Sequence, residues 1–175
     1  MALVLVKEDG TGKTNSNTYA LASDGDSYHE TRLHVEDWTQ ASSGDKEKAL
    51  AWASRILDDI VDWEGRAVDE DQAMGWPRNG VYDKEGYYVD NYVVPQAVVD
   101  ATCELARTLL VEDTTKNPDT QGFSFIKADV VELQIDKADR DSKYILTDLV
   151  RSMIAPFGTI NGTPRHASTV GLLRA

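Results

Sequence analysis

Cysteine occurs once in the 175 residues, at Cys103, so no internal disulfide can form, and an intracellular folding compartment is expected. Histidine occurs three times, at His29, His34 and His166, and with a single cysteine these show no zinc-ligand spacing. The Gly-x-Ser-x-Gly nucleophile pattern is absent. No apolar run approaches the ~20 residues needed to span a bilayer, and the opening "MALVLVKEDG" lacks the basic leader of a signal peptide. Positive charge is also scarce. Lys and Arg number 18 against 30 Asp and Glu, a net charge of -12, with a pI near 4.6. Such a chain repels DNA as a whole, because phosphate contacts dominate nucleic-acid affinity. What remains is 41% hydrophobic, enough for one globular domain with a substantial core.

The most chemically suggestive stretch is "DGTGKT", Asp9 to Thr14, which follows the apolar "ALVLV". A phosphate-binding loop requires Gly-x-x-x-x-Gly-Lys-Ser/Thr, so that successive backbone amides curl around phosphates. Gly12, Lys13 and Thr14 fit, but the first glycine position holds Lys7, and "NSNTYA" follows where an apolar helix should begin. A plain turn is the better reading. Asp24, Asp26 and Glu30 suggest calcium, yet the sixth and twelfth positions of an EF-hand loop would fall on His29 and Val35. Cys103 lies mid-helix and reads as a small hydrophobe. Asp58 and Asp59 could serve acid/base chemistry, but such a pair is more often a solvated helix end. No cofactor, metal or catalytic constellation is expected.

Along the chain, "SDGDSYHETRL" reads as a short polar helix capped by Ser23 or an adjacent aspartate, with Tyr28 and Leu33 inward. "HVEDWTQASSG" reads as a loop over Trp38. "SGDKEKALAWASRILDDI" is a strong helix whose inner stripe is Ala49, Trp52, Ala53, Ile56, Leu57 and Ile60. "VPQAVVDATCELARTLLVED" is a second, opened by Pro95 and buried through Val98, Ala101, Thr102, Leu105, Ala106 and Leu109. "FSFIKADVVELQID" alternates as a bent or bulged strand. "SKYILTDLVRSMI" is a third helix, capped by Ser142, with Ile145, Leu146, Leu149, Val150 and Met153 inward and Pro156 as its stop.

Between the two strong helices, residues 61–94 lack helical periodicity but hold six of the fourteen aromatics, a richness that argues for an ordered connection rather than a disordered linker. "GVYDKEGYYV" within it reads as a hairpin turning at Asp83 to Gly86. In "GWPRNG", Trp76 is either a plug in the domain's own core, with Arg78 tied to a carboxylate, or an interface anchor. Trp76, Arg78, Tyr82, Tyr87 and Tyr88 are the candidate interface residues. The last stretch, "APFGTINGTPRHASTVGLLRA", contains no acidic residue. It reads as a frayed terminus or as an arm that orders on a neighbour through Arg165, His166, Leu172, Leu173 and Arg174. The expected organisation is a mainly α small helical bundle over 1–155, with an N-terminal strand and turn at 1–18, the aromatic-rich connection at 61–94 with its short hairpin, and an extended mobile C-terminal arm at 156–175.

The combination of "VKEDGTGKTNSNTYA", "DSYHETR", "KALAWASRILDD", "DWEGRAVDEDQAMGWPRNGVYDKEG" and "VPQAVVDATCELARTLL" resembles a family of tailed-bacteriophage head-tail connectors, or head-completion adaptors, over about Val6 to Leu110 and less distinctly to Ile154. Some members of that family carry a label as DnaT-like, primosomal single-stranded-DNA-binding proteins. The resemblance implies a mainly helical structural subunit, not an enzyme. It would join a homo-oligomeric ring of about twelve copies beneath the portal protein and dock a further connector, stopper or tail protein. Genome DNA would pass through the channel without specific binding, and an acidic wall suits that passage. Location in the virion after synthesis in the host cytoplasm follows from the same resemblance. The alternative is single-stranded-DNA binding by aromatic stacking; a nucleotide-binding enzyme is the third reading.

Overall fold

A computed structural model describes residues 3–116, 125–128, 131–134 and 145–160. Their architecture is mainly helical, as the periodicity predicts. Two long helices, α3 (Ser43–Ile60) and α4 (Gln96–Val111), pack against each other and form the spine. The shorter helices α1 (Ala22–Glu30), α2 (Glu36–Gln40) and α5 (Asp148–Ile154) lean on α4. Among the described residues no helix is long and apolar enough to cross a membrane.

Ser42 caps α3, its hydroxyl accepting the Asp45 N–H at 3.2 Å. The face that α3 turns to α4 carries Leu50, Ala53, Ile56 and Leu57; α4 answers with Val99, Leu105 and Ala106, and α5 with Val150 and Ile154. Each fully buried aliphatic side chain in such a set contributes about 1.5–3 kcal/mol relative to exposure. The stripe departs from expectation at one residue. Trp52 is 40% exposed, lining a groove with Leu109 and Leu110 at the end of α4, while Leu50, outside the predicted stripe, is fully buried.

Several other expectations are corrected. Among its described residues, 3–6, the "ALVLV" start forms no regular strand; residues 6–8 and 17–18 share short backbone bonds, Glu8 N–H to Thr18 at 2.9 Å and Asn17 N–H to Val6 at 2.9 Å. Helix α1 has no side-chain N-cap from Ser23. Instead Asp24 accepts the Leu21 N–H at 2.7 Å from inside the first turn. Leu33 lies outside that helix and is 80% exposed. The expected loop over Trp38 contains α2, and Trp38 is buried against the core. Pro95 precedes α4 as its cap residue rather than occupying its first turn. Helix α5 begins at Asp148 with Thr147 as its cap, so it is shorter than predicted; Leu149 faces out, and Ser142 lies outside the described residues.

The strand elements are small. β1 (Val61–Trp63) pairs antiparallel with β6 (Gly158–Ile160), Val61 opposite Ile160. β2 (Arg66–Ala67) pairs with β3 (Arg78–Asn79). β4 (Phe125–Ala128) and β5 (Val131–Gln134) pair with each other, so the phase shift expected as a bulge or bend in one strand falls between two strands. The β1–β6 pair also moves the expected domain boundary. Phe157 is buried and Gly158 to Ile160 are paired, so residues 157–160, expected in the arm, are part of the fold. Arg165, His166, Leu172, Leu173 and Arg174 lie outside the described residues.

Candidate interaction surface

The loop that mimics a phosphate site is an anion nest, and the chain fills it with its own carboxylate. Glu8 is fully buried. Its Oε1 accepts the backbone N–H groups of Gly10 and Gly12, each at 3.0 Å; its Oε2 accepts the Lys13 N–H at 2.8 Å and the Ser16 hydroxyl at 3.0 Å. Successive backbone amides of this kind form a concavity for negative charge, and here no room is left for a phosphate. The Lys13 ammonium is spent as well, on Asp9 at 2.8 Å and the Lys7 carbonyl at 2.9 Å; this contact holds the Asp9 carboxyl down at about 2. The glutamate immediately before "DGTGKT" was the legible sign of this arrangement.

The nest braces the 61–94 connection. Gly10 adopts a φ of +98° and lies directly against the Tyr92 backbone, so that a Cβ would strike the Tyr92 carbonyl. The Lys13 carbonyl accepts the Ala73 N–H at 2.8 Å. From the other side, Asp58 at the end of α3 accepts the Tyr19 hydroxyl at 2.5 Å, the Trp63 indole N–H at 2.9 Å and the Gly75 backbone N–H at 3.0 Å. Burial pushes the Asp58 carboxyl up, against these three donors, and pushes the Tyr19 hydroxyl well above its ordinary value. Asp58 is therefore a partly buried tether for the connection, not a member of a solvated acid pair.

Trp76, a candidate interface residue, is fully buried and is corrected to a core plug. It sits edge-on to Trp63 and Phe157 at centroid distances of 5.9 Å, within an apolar cluster that includes Tyr19, Met74, Val81 and Val98. The peptide between Trp76 and Pro77 is cis. Arg78 is also turned inward, though not to a carboxylate. Its guanidinium donates to the carbonyls of Glu64 at 2.6 Å, Gly75 at 2.9 Å, Gly65 at 3.0 Å and Trp63 at 3.3 Å, and so clamps the turn after β1 to the β3 segment.

On this scaffold the tyrosines face outward. Tyr82, Tyr87 and Tyr88 are 54%, 72% and 51% exposed, and Tyr92, which the candidate set omitted, is 66% exposed. The predicted hairpin is present as a single bridge between Tyr82 and Tyr88. Asp83 holds its turn by accepting the N–H groups of Glu85 and Tyr87 at 3.0 and 2.8 Å. Tyr82 and Tyr88 meet edge to face at 5.7 Å, and the Tyr88 hydroxyl donates to Asn79 at 2.7 Å. Four exposed tyrosines within eleven residues present a broad amphipathic surface of the kind enriched at interfaces.

The charges around this surface are mostly negative. Residues 61–94 hold eight acidic side chains against three basic ones. Within this stretch Lys84 lies 3.5 Å from Glu85, and elsewhere Lys7, Lys13, Arg32, Lys46, Lys48 and Arg107 each lie within 2.9 Å of a carboxylate. Glu104, buried in α4, draws in both Arg32 and Arg107 at 2.8 Å. Burial raises the Cys103 thiol to about 12 and lowers the His29 imidazole, so neither is poised as a nucleophile or a charged base at neutral pH.

Comparison with known proteins places the whole chain, residues 1–175, within one family. The chain belongs to the family described as "Putative DnaT-like ssDNA binding protein". No curated protein and no solved structure matches it. The match includes the C-terminal stretch that the motif resemblance left uncovered, and its description is the DNA-binding label, with no mention of a connector.

Proposed function

We propose that this chain is a structural assembly protein, a head-tail adaptor that rings the phage portal and presents the tyrosine surface to neighbouring copies. The observation that supports this most is the combination of four exposed tyrosines on a braced scaffold with an acidic surround. Tyrosine supplies large contact area at low entropic cost, and the carboxylates disfavour a polyanion. The acid-free stretch 161–175 is the portal-docking segment in this reading, through Arg165, His166, Leu172, Leu173 and Arg174. No reaction is carried out and no cofactor is needed. The test is attachment to purified portal rings, scored by co-sedimentation and negative-stain imaging. Chain ended after Ile160 should stay folded and fail to attach, while Tyr87→Ser with Tyr92→Ser should attach without closing a ring. Attachment and closure by both variants would reject the reading.

The family description favours a second reading, in which the same tyrosines stack unpaired bases of single-stranded DNA. Base-aromatic stacking contributes about 1–3 kcal/mol per base. Fluorescence anisotropy with a labelled oligothymidine at low and moderate salt separates the two. Micromolar, salt-weakened binding that is lost in the double tyrosine variant supports the DNA reading. Absence of binding at low salt removes it.

A further inference from the structure

A groove of about 590 Å³ lies where α2, the first half of α3 and the end of α4 meet, remote in sequence from the tyrosine surface. Its apolar lining is Ala49, Trp52, Leu109 and Leu110, and polar side chains share the rest. On its rim Asp37, Asp45 and Asp113 outnumber Lys48, which is itself tied to Asp45 at 2.9 Å. The volume falls within the ~300–1,000 Å³ of ligand-binding clefts. Trp52 belongs by periodicity to the buried stripe of α3, yet it is 40% exposed where it lines this groove, with the Arg55 guanidinium over its ring at 5.5 Å.

We propose that this groove is a docking site for the chain's own residues 161–175. Three observations point to that occupant. Its charge is complementary, since it carries Arg165, His166 and Arg174 and no acidic residue. Its apolar side chains, Val170, Leu172 and Leu173, match a lining that combines Ala49, Trp52, Leu109 and Leu110 with three aspartates. Its origin is suitably placed: Ile160 pairs with Val61, immediately after the C-terminal end of α3. Trp52 lies nine residues back along that helix, roughly 14 Å at 1.5 Å per residue. Five extended residues span about 17 Å, so Leu172 and Leu173 arrive with slack. A tether this short acts at an effective concentration of about millimolar, above that of a second copy in dilute solution.

The experiment uses the full chain with Gln40→Cys on the rim and Leu172→Cys in the segment, treated with a short bismaleimide at micromolar concentration; buried Cys103 is left in place. An intramolecular link is expected. In parallel, amide exchange at residues 37–41 and 109–113 should be about ten-fold slower in the full chain than in Leu172→Ser with Leu173→Ser. Asp37→Asn with Asp45→Asn, exposed changes that remove charge from the groove while the amide oxygen at position 45 can still accept the Ser42 hydroxyl, should speed exchange in the same way. An intermolecular link would overturn the proposal by assigning the groove to a neighbouring copy. No link, or equal exchange in the full chain and both variants, would overturn it by showing that the segment does not occupy the groove.

Discussion

Replacing Glu8 by glutamine tests whether the N-terminal loop is a nest that requires an anion. The change keeps shape and removes only the charge and one acceptor. If the amide oxygen stays with Gly10 and Gly12, the new NH2 group faces the Lys13 N–H and the Ser16 hydroxyl. The hydroxyl can rotate to accept, but the Lys13 N–H cannot, and a buried unsatisfied donor costs about 1–3 kcal/mol. The two retained bonds also lose their charge assistance, roughly halving their strength. A smaller desolvation cost for the neutral side chain offsets part of this. The expected loss is therefore about 2–4 kcal/mol, from terms of this size. With a urea m-value of about 2 kcal/mol/M, the unfolding midpoint should fall by about 1–2 M without a change in slope. Because Gly10 backs onto Tyr92, amide exchange around residues 90–94 should accelerate in the same variant. A midpoint within about 0.25 M of the parent would refute the reasoning, since such a shift is worth only ~0.5 kcal/mol.

Gly25→Ala would drive a Cβ into the Trp38 ring on the facing helix, and an overpacked site of this kind should cost about 1–3 kcal/mol, read as a lower urea midpoint. Asp58→Asn should destabilise the fold at neutral pH by turning an NH2 group toward one of its three donors. Burial raises the folded-state value of Asp58 above its ordinary 3.8, so the folded chain takes up that proton first as the pH falls. Parent stability relative to the variant should consequently grow as pH falls through the folded value and level off near 3.8; a constant difference between pH 7 and 4 would contradict this. The Asp9 and Asp26 carboxyls, held below 3.8 by Lys13 and Lys46, lose their contribution at lower pH in both proteins and cancel in that comparison. Cys103 is fully buried with its thiol raised to about 12, so a disulfide reagent at pH 8 should label it only after denaturant is added.

The amino-acid sequence by itself determined the helical spine. The apolar spacing of Ser43–Ile60 and the Val98 to Ala106 stripe required amphipathic helices, because no other backbone geometry gathers those side chains on one face. It also marked residues 61–94 as an ordered connection, through their aromatics. The inner or outer direction of those aromatics was not legible, because residues without a period carry no facing rule. Trp76 and Tyr82 look alike as local strings; the Asp58 tether and the space between Tyr19 and Phe157 drew one inward, while the Asp83 turn left the other outside. Likewise, "DGTGKT" could be judged an imperfect phosphate loop on spacing alone. That its amides already close on Glu8 depended on a side chain folding back into a concavity, a contact that only the assembled tertiary structure could decide.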